Sequence, residues 1–213
     1  MRGTVCALGL LATVAVWSAC SSDGSSTPQS GGGSAGATSC GPSNCTGCCW
    51  NGACQAGTTV SSCGSSGINC STCKNNQVCK TDQTCGADPQ SKWAVQPLSA
   101  KITPTNNGAE WDISNGLPDP KVQMSCPSGT NTTTPFSTDT LSPTWATGGC
   151  TTTAEALLTA QWDYQLWDDD DVSDDTITDP LKYQFTEADF VAGQVTMPSS
   201  GGMISMVVQL QKQ

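Results

Sequence analysis

Aspartates dominate one short stretch of the chain, and carboxylate oxygens are the chemistry that this stretch could provide. Six of the eight residues from 168 to 175 are aspartates: Asp168, Asp169, Asp170, Asp171, Asp174 and Asp175. Two carboxylates ~4 Å apart repel by ~4 kcal/mol at an effective dielectric constant of about 20. A hard cation with oxygen ligands would relieve this repulsion. The alternative interpretation is an acidic turn that is simply solvated.

The residues before these aspartates predict the element that positions them. Trp162, Tyr164 and Leu166 are large and apolar, and they alternate with the polar residues Asp163 and Gln165. This alternation is typical of a β-strand with one buried face. The aspartates therefore lie on the loop that follows a strand.

The region from 92 to 213 contains further strands of this kind. Alternation and turn residues predict strands at 93–102, 121–125 and 203–212. Residues 181–191 fit either a short helical turn or the end of a strand, and no amphipathic helix is predicted. Short strands separated by turn residues are typical of an antiparallel β-sandwich, so the sequence predicts an all-β fold.

Composition argues against several classes of function. The chain has 213 residues, a net charge of −10 and no histidine. The acidity argues against nucleic acid as a partner, and the lack of histidine removes imidazole bases and Ser-His catalysis. The sequence also lacks a nucleophile motif and a phosphate-binding loop. A binding or structural protein is predicted, not an enzyme.

Two other motifs overlap the acidic stretch without their required context. Asp168-x-Asp170-x-Val172 matches the signature of aspartyl-phosphate phosphatases, but these enzymes need a long α/β domain after it, and only about forty residues follow. An EF-hand loop starting at Asp168 would need glycine at position 173 and glutamate at position 179. Ser173 and Asp179 stand there instead, so neither motif is adopted.

The start of the chain predicts export. Arg2 precedes a short apolar run, Val5 to Trp17, and small residues then lead to Cys20. This resembles a bacterial lipoprotein signal, and the resemblance implies lipidation of Cys20 and anchoring to the outer membrane or cell surface. Such signals usually carry an aliphatic residue where Trp17 stands. Ordinary cleavage near Ala19, or a short transmembrane anchor, therefore stays open.

These features divide the first part of the chain into two segments. Residues 1–19 are the predicted lipoprotein signal peptide. Residues 20–39 are rich in serine and glycine and predict a flexible, lipid-anchored linker. Whether the protein faces the periplasm or the exterior stays open.

Residues 40–87 predict a small disulfide-rich module. The cysteines are Cys40, Cys45, Cys48, Cys49, Cys54, Cys63, Cys70, Cys73, Cys79 and Cys85. Few large apolar side chains lie between them, so a hydrophobic core alone would not offset the conformational entropy. Disulfides at ~2–4 kcal/mol each would, with a connectivity that the sequence leaves open. The pattern CTGCCWNGAC resembles modules of myxobacterial surface proteins, and we interpret the module as a stalk or spacer in preference to a ligand-binding unit.

Zinc is the competing explanation for this module. Cys45 and Cys48 have the C-x-x-C spacing of zinc ligands, and so do Cys70 and Cys73. Adjacent Cys48 and Cys49, the even count and the predicted export favour disulfides instead.

Two cysteines remain outside the module. Cys126 and Cys150 flank a threonine-rich segment. With Cys6 removed in the signal peptide and Cys20 lipidated, these two are left to pair with each other. Their disulfide would close a loop of about 25 residues and have a structural role.

Three segments of the region 92–213 resemble, in the same order, motifs of the C2 domain, a calcium-binding β-sandwich family. Asp112 to Val122 (D-x-x-N-G-x-P-D-P-x-V) is similar to the first calcium loop of that family. Thr140 to Trp145 (T-L-S-P-T-W) is similar to the motif before a central strand. Leu166 to Ile177 (L-W-D-D-D-D-V-S-D-D-T-I) is similar to the third calcium loop. The resemblance implies a C2-type antiparallel β-sandwich.

The same resemblance implies a set of candidate Ca²⁺ ligands on two loops. They are Asp112, Asp119, Asp168, Asp170 and Asp175, with Asp174 as the substitute for Asp175. The first loop is one residue longer than the common form, the third is one residue shorter, and Lys121 replaces the usual aromatic residue. Asp169 and Asp171 would offer backbone carbonyls or outer charge.

Together these features predict a calcium-binding surface lipoprotein, a binding or structural module whose partner could be an unknown surface protein. The first alternative is calcium-dependent binding to phospholipid headgroups, with Ile113, Leu117 and Val172 inserting shallowly. The five lysines and the lack of arginine in residues 92–213 count against it. The second alternative is a purely structural surface protein whose acidic loop holds no ion.

Overall fold

A computed structural model describes residues 39–112, 116–127 and 131–213. These residues belong to one compact unit. The predicted signal peptide, the lipidation of Cys20, the linker up to residue 38 and the inserting side chain of Ile113 lie outside the described residues. In the described part of the chain, no helix has both the length and the apolar character needed to cross a membrane.

The cysteine-rich module consists of three short antiparallel hairpins. The paired strands are β1 (Cys48–Trp50) with β2 (Ala53–Gln55), β3 (Thr58–Thr59) with β4 (Ser62–Cys63), and β5 (Gln77–Cys79) with β6 (Cys85–Ala87). Strands of two or three residues cannot hold a fold by backbone pairing alone. Covalent links must therefore hold this module together.

All ten module cysteines pair as disulfides, which confirms the predicted framework. The bridges are Cys40–Cys49, Cys45–Cys54, Cys48–Cys70, Cys63–Cys79 and Cys73–Cys85. The two C-x-x-C pairs are thus divided among different partners, and no module thiolate remains to bind zinc. A sixth bridge joins Cys126 and Cys150, as predicted.

Residues 92–213 form the predicted antiparallel sandwich. Its strands are β7 (Lys92–Ile102), β8 (Pro120–Ser125), β9 (Asn131–Thr133), β10 (Cys150–Thr153), β11 (Trp162–Asp168), β12 (Asp175–Thr176), β13 (Leu181–Tyr183), β14 (Gln194–Met197) and β15 (Met203–Lys212). One sheet has the order β10-β7-β15-β14. The other has the order β12-β11-β8-β9, and β13 pairs with β11 along the same edge as β12. The Cys126–Cys150 bridge ties the end of β8 to β10 and so links the two sheets.

The sandwich core comes from the alternating faces of these strands. Along β11 every second residue is buried, beginning with Trp162 and ending with Asp168. Val95 of β7 and Val122 of β8 lie in one apolar cluster, so the inner faces of both sheets contribute to the same core. The last buried position of β11 thus carries a carboxylate where an apolar side chain would be expected, and this exception marks the site described below.

The described residues also contain two short helices beside the strands of the predicted all-β fold. They are α1 (Ala154–Thr159) and α2 (Glu187–Ala192), each of six residues. Helix α1 begins where the Thr153 hydroxyl accepts a hydrogen bond from the Ala156 amide, and α2 ends at Gly193 with φ +69°. Six residues are fewer than two turns, so neither helix shows a 3.6-residue period in the sequence. Residues 181–191 therefore contain both of the elements between which the sequence left a choice.

The module packs directly against the sandwich through α2. The Glu187 carboxylate accepts a hydrogen bond from the Ala87 amide at 2.7 Å and lies 3.6 Å from Lys80 Nζ. The Asn76 side-chain amide donates to the Phe190 carbonyl at 3.0 Å. The Phe190 ring meets Trp93 edge-on, with 4.8 Å between ring centroids, inside the sandwich core. Contacts of this kind fix the module on the sandwich.

The long strands β7 and β15 define two ends of the sandwich. Lys92 and Lys212 lie at one end, where the module joins β7. Ile102 pairs with Met203 at the other end, and the chain leaves β7 there toward Trp111 and its neighbouring aspartate. The acidic loops therefore lie at the end of the sandwich that is distant from the module junction.

Candidate metal centre

The pairing of β8 with β11 positions the first aspartate of the acidic run. Asp168 stands opposite Pro120 in this ladder, so it lies beside Asp119. The Asp119 amide donates to Asp168 Oδ1 at 2.6 Å, and the Asp119 carbonyl accepts from the Asp169 amide at 3.1 Å. Asp119 thus holds the start of the acidic loop by its backbone as well as carrying a carboxylate of its own.

Asp112 reaches the site from a separate loop whose base is anchored by Trp111. The Trp111 indole is buried, and its Nε1 donates to the Thr103 carbonyl at 2.9 Å. Gly116 forms a bridge with Asp112 and lies so close that an added Cβ would be only 2.5 Å from the Asp112 Cβ. Only glycine fits there without displacing the Asp112 side chain.

Three of the predicted ligands converge. One carboxylate oxygen from each of Asp112, Asp168 and Asp170 lies within 4.8 Å of the other two. The Asp168 side chain is fully buried, with 0% exposure, and the other two are half-buried. Among the residues that the structure describes, Asp168 Oδ2 has no hydrogen-bond partner. A buried carboxylate oxygen without a donor is costly, and a bound cation would satisfy it.

The pKa values of two of these aspartates are raised by the same crowding of carboxylates. Burial, together with the charges of Asp112, Asp170 and Asp119, raises the pKa of Asp168 from 3.8 to about 6, against the opposing effect of the Asp119 amide. Burial also raises the pKa of Asp112, and the adjacent Asp170 carboxylate adds to this effect by hydrogen bonding and by charge. Both shifts mean that negative charge at the cluster is unfavourable unless a cation or a proton compensates it.

Asp119 and Asp175 border the cluster without joining it. The Asp119 charge contributes to the raised pKa of both Asp112 and Asp168, and its Oδ1 accepts from the Asp139 amide at 2.6 Å. Asp175 stands opposite Asp168 in the β11–β12 pair and lines the same cleft, of about 530 Å³, as Asp112. The Asp119 charge therefore acts on the cluster directly, whereas Asp175 lines the cleft beside it.

Asp139 is a site residue that sequence reasoning missed. Its charge contributes to the raised pKa of Asp112, so it adds acidity at the rim of the cluster. It lies next to the T-L-S-P-T-W motif, with φ +47°, and its amide holds the Asp119 carboxylate in place. Its position beside that motif was the available signal, but a single aspartate on a serine- and threonine-rich loop gave no reason to single it out.

Asp174, the predicted substitute ligand, is directed elsewhere. Its Oδ2 lies 2.6 Å from Lys121 Nζ, and Lys121 also forms an ion pair with Asp169. This pairing with Lys121 lowers the pKa of Asp174. Of the two candidates for the last ligand, Asp175 borders the cleft and Asp174 is paired with a lysine.

The donor set fits a hard cation. The converging groups are carboxylates, and neither histidine nor a free thiolate takes part in the cluster. Calcium takes six to eight oxygen ligands from flexible loops, including backbone carbonyls and water. Asp112, Asp168 and Asp170 would hold the ion, with Asp119 and Asp175 as further carboxylates beside the cluster.

Comparisons with known proteins give distant structural similarities. No family model matches the chain, and no curated protein matches it. Among solved structures, human GIVD cytosolic phospholipase A2, in complex with an inhibitor and terbium chloride, is similar over 58% of this chain at 16% identity and a TM-score of 0.40. A structure described as a C2 domain is similar over 57% at 18% identity and a TM-score of 0.41. Calcium-bound extended synaptotagmin 2 is similar over 59% at 13% identity and a TM-score of 0.43.

These matches differ in how much of the other protein they cover. The chain spans 17% of the phospholipase chain and 47% of the synaptotagmin chain, but 99% of the single C2 domain. At such identities and TM-scores the matches do not assign the chain to a family.

Proposed function

We propose that this protein is a calcium-binding module, with one binding site formed by Asp112, Asp168 and Asp170. The observation that carries the proposal is the buried Asp168 carboxylate, which has one unpartnered oxygen and lies within 4.8 Å of two other carboxylates. A bound Ca²⁺ would neutralise the repulsion among the three groups. The chain contributes their orientation, because the Asp119 amide fixes Asp168 and Gly116 leaves room for Asp112.

The proposal includes a non-enzymatic role at the cell surface. The six disulfides among the described residues support an oxidising compartment outside the cytosol. Anchoring through a lipid on Cys20 is part of the proposal and rests on the signal sequence alone. Expression in cells fed a labelled fatty acid tests it. The original chain should carry the label, and a Cys20→Ser chain should carry none.

Calcium titration by calorimetry tests the metal site. Extracellular calcium modules typically bind with dissociation constants of ~10⁻⁴–10⁻³ M. At ~1 mM Ca²⁺ and a dissociation constant of ~10⁻⁴ M, binding would stabilise the fold by about 1.4 kcal/mol. Asp170→Asn should abolish the binding heat, whereas the matched control Asp163→Asn, on the outer face of the preceding strand β11, should retain it. Absence of both heat and a melting shift in the unsubstituted protein would refute the proposal.

A second candidate function is calcium-dependent binding to phospholipid headgroups. It is favoured by the exposure of two apolar side chains on the acidic loops: Val172 is 97% exposed and Leu117 is 38% exposed. Exposed apolar patches mark surfaces that contact a membrane or a partner, and this candidate function requires the two side chains to form such a patch together. Sedimentation with anionic vesicles, with and without a chelator, tests this function. Binding that ignores calcium, or that survives Val172→Ser with Leu117→Ser, would contradict it.

A further inference from the structure

Lys121 divides the run of aspartates into two sets that face different sides of the sheet. In β8, Pro120 and Val122 are buried whereas Lys121 between them points outward. Lys121 stands opposite Trp167 in β11, and these two residues line an outer cleft together with Asp174. The cleft lined by Asp112 and Asp170 is a separate one. The acidic loop therefore has a metal side and a lysine side.

The contacts of Lys121 bind both ends of the loop to β8. Its ammonium pairs with Asp169, directly after β11, and with Asp174, directly before β12. The Lys121 side chain is only 18% exposed, so these pairs are more sheltered than ordinary surface ion pairs. Pairing with the two aspartates raises the pKa of Lys121 although burial opposes this, so the ammonium stays charged at neutral pH.

A hydrogen bond connects this pairing to the candidate metal centre. Asp174 Oδ1 accepts from the Asp170 amide at 3.4 Å, while Asp174 Oδ2 contacts the lysine. The Asp174 carboxylate thus lies between Lys121 and the backbone of a cluster residue. Loss of the lysine would leave Asp169 and Asp174 as additional unpaired charges in an already acidic loop.

We propose that Lys121 is a positioning residue for the candidate metal centre: its ammonium pairs with Asp169 and Asp174, holds the loop between them against β8 and so directs Asp170 toward the bound cation. The proposal rests on the calcium-binding function proposed above. It assigns Asp169 and Asp174 to the lysine and excludes them as carboxylate ligands of the ion.

Two effects of removing the lysine charge oppose each other, so the direction of the change is decisive. Loss of a nearby positive charge would by Coulomb's law strengthen calcium binding. Loss of the ordered loop would weaken it. Each partly exposed ion pair contributes ~0.2–1 kcal/mol to such order, so the loss of both pairs in Lys121→Met should weaken calcium affinity by about twofold or more. Methionine keeps the apolar stem and removes only the ammonium.

Calcium titration of the full chain and of three variants tests the proposal. Lys121→Arg keeps the charge and both pairs, and its affinity should stay within about twofold of the original. Lys182→Met is the matched control, because Lys182 also pairs with an aspartate of β11, Asp163, at 2.9 Å but away from the loop; it should leave the affinity unchanged. A Lys121→Met protein that binds calcium equally or more tightly would overturn the proposal.

Hydrogen exchange separates this proposal from the calcium-binding function. The Asp169 and Asp170 amides donate to Asp119 and Asp174. In chelator, these two amides should exchange at least about threefold faster in Lys121→Met than in the original protein or in Lys182→Met. This measurement needs no bound ion. If the original protein binds no calcium, the proposed function fails and the exchange rates still decide whether Lys121 orders the loop. Unchanged exchange in Lys121→Met would overturn the positioning role.

Discussion

Replacing the buried Asp168 with asparagine should stabilise the calcium-free protein. In chelator at pH 7 the folded protein keeps this carboxylate ionised although its pKa is raised to about 6 by burial and by its acidic neighbours. Asparagine has nearly the same shape, so it can still accept the hydrogen bond from the Asp119 amide. The asparagine side-chain NH₂ would also donate a hydrogen bond to one of the adjacent carboxylates, whereas the ionised Asp168 carboxylate has no donor.

The raised pKa sets the size of this effect. It lies about two pH units above the ordinary value of 3.8, and each unit corresponds to about 1.36 kcal/mol of unfavourable interaction for the charged form. Asp168→Asn should therefore raise the free energy of unfolding in chelator by up to ~3 kcal/mol. For a compact unit of this size, that corresponds to a melting temperature higher by up to roughly 6–12 °C.

Thermal unfolding followed by circular dichroism, in chelator and in 1 mM Ca²⁺, measures the effect. The unsubstituted protein should gain stability from calcium, whereas Asp168→Asn should melt at the same temperature in both buffers. Asp163→Asn serves as the control, because Asp163 lies on the outer face of the same strand and forms an exposed pair with Lys182. An Asp168→Asn protein that melts below the original in chelator would show that charge crowding does not strain this site.

Three further changes test other parts of the structure. Gly116→Ala should displace Asp112 and weaken calcium binding, measured by calorimetry, about tenfold or more. The strand content measured by circular dichroism should stay the same. Unchanged calcium affinity would contradict the close approach at this glycine. Replacing Cys126 and Cys150 together by serine should lower the free energy of unfolding, measured by urea titration, by about 3 kcal/mol. The reason is that the bridge joins two residues 24 positions apart in sequence and links the two sheets. An unchanged urea midpoint would argue against this role. In chelator, the free energy of unfolding should rise as the pH falls from 7 to about 4, because the raised pKa of Asp168 lets the folded state take up a proton before the unfolded state does. In saturating calcium the trend should reverse. Chelated protein that loses stability over this pH range would contradict the raised pKa.

The sequence predicted what depends on local pattern. The alternation at Trp162, Tyr164 and Leu166 predicted β11, and the motif resemblance brought Asp112 together with Asp168 and Asp170 across some fifty residues of intervening chain. A strand period is visible in five residues because it repeats every two. Local pattern was therefore enough to predict β11, whereas the link between Asp112 and the acidic run came from the motif resemblance.

What the sequence left undecided depends on pairing between distant segments. The partition of the acidic run follows from the register that places Lys121 opposite Trp167, and no local pattern encodes that register. Likewise Asp174 and Asp175 are adjacent and chemically identical, and only the start of β12 decides which one faces the cleft. Disulfide connectivity is open for the same reason, since ten cysteines admit many pairings and only the folded chain selects one.

The eleven-residue length of β7 has a practical consequence for experiments on this protein. At about 3.3 Å per residue, this strand separates the module junction from the aspartate cluster by ~35 Å. Gln213 lies at the junction end, where its amide donates to the Lys92 carbonyl at 3.0 Å. Immobilisation on a sensor chip through a tag after Gln213 would therefore leave the acidic loops facing the flow, accessible to ions and vesicles alike.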